Sequence, residues 1–190
     1  MKLPILAYGH PLLRKKSVDI EKGHEGLSKI IADMYDTMYA SNGVGLAAPQ
    51  VGLNIRLIVL DHTPYVEDYK EAADFKKVLI NAHITEVSGD EWIFNEGCLS
   101  VPEVREDIIR KSNIHITYYD ENFNFHEEDL FGINARVVQH EYDHLEGILF
   151  VDKVSPLKKV LLKRKLTDIS KGYIKPAYKM IYPAQKKKHL

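Results

Sequence analysis

The 190-residue sequence has one cysteine and no apolar run of membrane-spanning length. A single cysteine excludes an intramolecular disulfide and suits a reducing compartment. Without roughly 20 consecutive apolar residues there is no candidate transmembrane helix. The N-terminus lacks the apolar core of a secretory signal and runs straight into a turn-like Gly9-His10-Pro11. The expected location is therefore cytoplasmic, with no membrane partner. Net charge is nearly missing too, at −1, so no global field points to nucleic acid. Internal repeats and domain-dividing linkers are absent, and 45% hydrophobic content is enough for one domain with a real core.

Charge is balanced overall but not locally. Residues 61–129 carry seventeen acidic and six basic side chains, whereas residues 157–190 carry eleven Lys/Arg against Asp168 alone. The basic end is a candidate for contact with a polyanion such as ribosomal RNA, a solvated helix face being the plain alternative.

Leu27, Ile30, Ile31, Met34, Tyr35 and Met38 recur at helical spacing, and Asn42-Gly43 ends that helix. Residues 43–52 hold three glycines, two alanines and a proline. A stretch so poor in side chains turns sharply or admits another backbone. Ile55–Leu60, apolar but for Arg56, is a run of strand length, and 62–75 reads as a polar surface loop with a little helix. Val78–Val87 and Glu91–Phe94 read as strands, after which Glu96–Pro102 breaks the pattern. Ile114, Ile116 and Tyr118 alternate within a strand over 108–119, 121–124 is a turn, and Phe125–Leu130 is the returning strand. Ile148–Val151 reads as a short strand. Ser155-Pro156 is an N-cap followed by proline at the first helical position, opening a helix that Gly172 ends. The fold class is α+β: antiparallel β-sheets packed around a central helix, with a C-terminal helix.

That central helix, Ile133–Glu146, contains Gln139-His140-Glu141-Tyr142-Asp143-His144, with Gly147 as a left-handed C-cap. His140 and His144 stand one turn apart on one face, so both imidazoles reach a single metal ion. Glu141 lies beside them but off ligand spacing, where it can touch a water on that metal. The ordinary alternative is two core-satisfied histidines on an amphipathic helix. A catalytic metal needs a third protein ligand and an open position. The downstream ligands of the common HExxH peptidases fail here: Phe150 stands where a histidine is needed, and no glutamate follows Glu146. Upstream, Cys98 at the strand-breaking turn is favoured over His10, His83, His115 and His126, none of which lies in a comparable turn.

Three segments together, Gly43-Val44-Gly45-Leu46-Ala47-Ala48-Pro49-Gln50, Glu96-Gly97-Cys98-Leu99-Ser100 and Gln139 to His144, resemble the peptide deformylases. They match that family's three motifs in order and without internal gaps, and the likeness runs from about Leu3 to Ser170. It implies a hydrolase that removes the formyl group from N-formylmethionine on nascent polypeptides. It also implies Fe(II) held by Cys98, His140 and His144, for which Zn(II), Ni(II) or Co(II) can substitute. Further roles carried over are Glu141 as general acid/base, and the Gln50 amide with the Leu99 N–H as donors to the oxyanion. Gly43, Val44 and Gly45 are expected to pair with an extended peptide, and Val44, Leu99, Ile133 and Val137 to form the methionine pocket. Arg105 is a candidate for touching the substrate backbone, and Glu96 with Arg110 for a supporting ion pair. The domain expectation is a single catalytic domain over 1–172 and a basic C-terminal tail over 173–190; the strongly basic, partly helical stretch from Leu157 to Lys188 is a candidate for docking on the ribosome. Truncation after Ser170 is accordingly expected to leave hydrolysis of a short peptide unchanged.

Overall fold

The scaffold follows from the burial of one strand, β3 (Leu57–Asp61). The structure, a computed structural model, describes residues 1–183; Lys186 to Lys188 of the basic end lie outside the described residues. From Leu57 to Leu60 every β3 side chain is fully buried, because both faces of the strand are covered. Leu57 and Val59 pack with Met34 and Met38 of α1 (Leu27–Ala40). Ile58 and Leu60 pack with Ile133, Ala135, Val138 and Leu145 of α2 (Gly132–Leu145). Double burial is why the sequence shows a continuous apolar run here instead of alternation. Truncating such a leucine to alanine costs about 2–5 kcal/mol.

β3 belongs to a five-stranded antiparallel sheet ordered β2 (Gly45–Ala47), β3, β4 (Lys76–Cys98), β5 (Val101–Tyr119), β6 (Phe125–Phe131). The strands expected over 78–87 and 91–94 are one strand. Between them the register shifts from Ser88 to Glu91, and Gly89 takes a φ of +79°, so the polar Ser-Gly-Asp step is a bulge. The break expected over 96–102 is the tip of the β4–β5 hairpin: Cys98 pairs with Val101, leaving Leu99 and Ser100 as a two-residue turn.

One further expectation is corrected and another extended. Ile148–Val151 is not a strand. Gly147 turns the chain at φ +72°, and Phe150–Asp152 forms a 3-10 turn in which the Asp152 carboxylate accepts the Leu149 N–H at 2.8 Å. Its apolar residues signalled burial in a core cluster, not pairing. The little helix expected within the 62–75 loop is two 3-10 turns, Thr63–Tyr65 and Lys70–Ala72, and the segment also caps the start of α2. His62 and Asn134 share a hydrogen bond of 2.6 Å, and the Glu71 carboxylate accepts the Ile133 N–H at 3.3 Å. A Cβ at Gly132 would fall 2.3 Å from that carboxylate, so the glycine makes the cap possible.

α3 (Pro156–Ser170) opens as expected, with Ser155 Oγ accepting the Lys158 N–H at 3.4 Å. Beyond Gly172 the described residues do not extend away from the body. They run back over it, and β7 (Met180–Ile181) pairs in parallel with β1 (Ile5–Leu6) in a separate two-stranded sheet.

Candidate metal centre and active site

Helix α2 presents His140 and His144 one turn apart, with ring centroids at 5.3 Å. The β4–β5 hairpin tip brings Cys98 to them from the other side: its Sγ lies 3.3 Å from His144 Nε2. One ligand atom from each of the three residues lies within 4.8 Å of the others. A thiolate and two imidazoles so disposed fit a tetrahedral ion with one position left open. The competing histidines are engaged elsewhere. His10 accepts the Leu12 N–H, His83 faces Asp19, His115 is held by Glu127 and Asp129, and His126 by Asp120.

Behind the Cys98, His140 and His144 cluster stands a buried ionic network. Glu96 receives two hydrogen bonds from Arg110, at 2.7 and 3.0 Å, and one from Arg136 at 3.0 Å. Its Oε2 also lies 2.9 Å from His140 Nδ1. A carboxylate on that nitrogen fixes the ring and leaves Nε2 for a metal. Burial opposes ionisation of Glu96, but the bonds from His140 and Arg110 outweigh it and hold the carboxyl well below its usual range. Arg110 reaches on to Asp143 at 2.7 Å, tying the network back to α2. Burial works against charge on His140 too, yet Cys98 and Glu96 overcome it and raise its pKa well above the ordinary value. His144 is pushed well below, by burial and then by the neighbouring His140. A metal ion binding here takes the place of a proton.

Glu141 stands beside this cluster and is buried, and burial pushes its carboxyl up to about 7. Its Oε2 has no protein partner among the described residues. The carboxylate fits only because position 45 is glycine, where a Cβ would come 2.7 Å from Glu141 Oε1. Gln50 Oε1 accepts the Ala47 N–H at 2.8 Å, so its amino group is the end turned toward the centre, 3.6 Å from Cys98 Sγ and 3.4 Å from Ser100 Oγ. Local sequence explains the placement: Pro49 starts a tight 3-10 turn over Ala48–Val51 that folds Gln50 back on its own strand.

A cleft of about 390 Å³ opens onto these groups. Of the residues singled out in the sequence, it is lined by Gly43, Val44, Gly45, Gln50, Glu96, Cys98, Leu99, Arg105, Val137, His140 and Glu141. Ile133 is fully buried in the core beneath, outside the cleft wall. Arg105 sits at the exposed rim, its Nε donating to Asn95 at 2.9 Å. Tyr65, Phe94, Arg136 and Tyr178 also line the cleft and were not foreseen. Arg136, one turn before His140 and flanked by Ala135, Val137 and Val138, carried a visible signal.

An open metal site beside a buried carboxylate with a free oxygen, set in an α+β scaffold, is the arrangement of a metal-dependent hydrolase. Comparison with known proteins narrows the class. The family model for polypeptide deformylase matches residues 2–160. The peptide deformylase of Christiangramia forsetii is 54% identical, over 98% of this chain and 99% of its own. That of Flavobacterium psychrophilum is 52% identical, over 95% and 96%. A crystal structure of a peptide deformylase from Legionella pneumophila superposes with a TM-score of 0.79 at 38% identity, covering 93% of this chain and all of that one. The chain belongs to the polypeptide deformylase family, metal-dependent enzymes that remove the formyl group from N-formylmethionyl peptides.

Proposed function

We propose that this chain hydrolyses the formyl group of N-formylmethionyl nascent peptides on the centre formed by Cys98, His140 and His144, yielding formate and a free α-amine. The observation that carries the residue assignment is the convergence of these three side chains with Glu141 beside them and the Gln50 amino group turned inward. Iron(II) is the metal we assign, with Zn(II), Ni(II) and Co(II) as substitutes. The mixed thiolate and imidazole set accepts all of them, and the Irving–Williams order places Fe(II) weakest of the four. Bound there, the metal supplies Lewis acidity and makes a water molecule nucleophilic near neutral pH.

Glu141 accepts the proton of the attacking water and delivers it to the leaving amine. The amino group of Gln50 and the backbone N–H of Leu99 donate to the formyl oxygen as negative charge grows there. Gly43, Val44 and Gly45 offer an uncluttered strand edge to an extended peptide, so recognition beyond methionine is mostly through backbone. Val44, Leu99 and Val137 contact the methionine side chain, Ile133 shapes the wall from behind, and Arg105 meets the peptide backbone at the rim. Because its substrates are nascent chains, we assign the protein to the cytoplasm, near the ribosome. α3 exposes Leu157, Val160 and Leu161 among its lysines, a surface suited to docking there.

The test is formate release from a formyl-Met peptide by anaerobically prepared protein, with metal content measured on the same sample. Absence of formate at full metal occupancy would overturn the reading.

A further inference from the structure

The segment after Gly172 reaches the cleft through Pro176 and Tyr178. The Tyr178 hydroxyl donates to the Leu99 carbonyl at 2.8 Å. Tyr178 lies outside residues 2–160, which the family model matches. We propose that Tyr178 is a positioning residue for deformylation, its hydroxyl fixing the hairpin turn so that the Leu99 N–H stays aimed at the formyl oxygen. This rests on the reading of that N–H as an oxyanion donor.

The physical basis is the turn itself. Leu99 and Ser100 are the two central residues between the paired Cys98 and Val101. The central peptide of such a turn is the one that flips between turn types, by opposed rotation about the bonds on either side. Such a flip turns the Leu99 carbonyl and the Ser100 N–H; the Leu99 N–H belongs to the preceding peptide, so a bond on the Leu99 carbonyl steadies it by fixing the Leu99 Cα that joins the two peptides. Tyr178 holds the Leu99 carbonyl of that peptide. The next carbonyl, that of Ser100, accepts the Tyr8 N–H at 2.8 Å. Tyr8 follows β1, Tyr178 precedes β7, and β1 pairs with β7, so both anchors stand on one small sheet. Burial raises the Tyr178 phenol above its ordinary value, which keeps it a donor. Preorganised donors act because they need not reorganise as charge develops, so a looser turn affects the transition state more than substrate binding.

The decisive variant is Tyr178→Phe in the full chain, which keeps the ring in the cleft wall and removes the hydroxyl. At full metal occupancy and well below the unfolding transition, kcat for a formyl-Met peptide is expected to fall about three- to tenfold, the scale of one hydrogen bond. KM should stay within about twofold, and so should the affinity for the corresponding unformylated Met peptide, measured by calorimetry. Tyr178→Leu, which also removes the ring, should raise KM in addition. Two results overturn the proposal: a Tyr178→Phe kcat equal to the parent's, or a loss of kcat matched by loss of bound metal. A parent chain that releases no formate removes the activity itself, a different failure from a variant as active as its parent.

Discussion

Glu141 and Gly45 form one unit. The carboxylate occupies the space a Cβ at position 45 would need. Glu141→Ala leaves the three ligands in place, so metal stoichiometry is expected to hold while formate release falls about 10²- to 10⁴-fold, as for loss of a general acid/base. Thermal stability should hold or rise, because a carboxylate kept in a buried pocket is costly. Loss of metal in that variant would make Glu141 a structural support. Gly45→Ala should lower kcat by pushing the same carboxylate aside, again without loss of metal; a kcat unchanged from the parent would count against the geometry. At this scale the sequence was informative wherever chemistry dictates residue type. Histidines four apart with a glutamate between are legible because helical spacing alone places them. Tyr178 was hidden because its role depends on a hydroxyl meeting a backbone carbonyl, and a carbonyl leaves no mark in sequence.

The β4–β5 hairpin and α2 meet through Glu96, which joins Arg110 and Arg136 to the His140 ring. Glu96→Gln keeps the shape and removes the charge, leaving two buried guanidinium groups short of a carboxylate. Breaking a buried pair in this way costs about 3–5 kcal/mol, and loss of a ligand's outer partner typically weakens metal binding about 10- to 100-fold. Thermal unfolding and chelator competition measure the two effects separately. Among the elements, those with local signals were readable: Ser155-Pro156 announces α3, and the methionine and isoleucine spacing announces α1. Ile148–Val151 misled because apolar residues report burial whichever backbone conformation carries them. β7 could be read in hindsight. Ile174, Pro176, Tyr178, Met180 and Tyr182 alternate with more exposed residues, a strand-like period of two masked by interleaved lysines.

For the molecule as a whole, acid stability turns partly on His62, buried against Phe75 at a centroid distance of 4.4 Å. Burial lowers its pKa from 6.5 to about 4, so the folded state keeps the ring neutral. The unfolded chain binds a proton below about 6.5 and the folded chain does not, so this contribution is fully present above pH 6.5. It is lost as pH falls toward 4, and over that window amounts to about 3 kcal/mol. Denaturant titrations from pH 7 to 4 should show the decline, and a His62→Gln variant should show a shallower one; equal slopes would remove His62 from the account. The docking surface is tested with Lys159→Glu and Lys163→Glu on the exposed side of α3. These should weaken ribosome co-sedimentation in a salt-dependent way and leave hydrolysis of a short formyl peptide intact. Truncation after Ser170, which the sequence suggested for this purpose, is unsuitable because it removes Tyr178 and β7 as well.

The parallel pairing of β1 with β7 also bears on how the enzyme comes into being. Ile5 meets Met180, so the contact proposed to steady the Leu99 turn joins stretches of chain nearly as far apart in sequence as any described. Closing so large a loop is entropically expensive, and contacts of this separation form late in folding. On refolding from denaturant in the presence of metal, secondary structure and metal uptake should therefore recover before full turnover does. For a time the protein would be a folded metalloprotein with a slack catalytic turn, maturing only when its two ends have found each other.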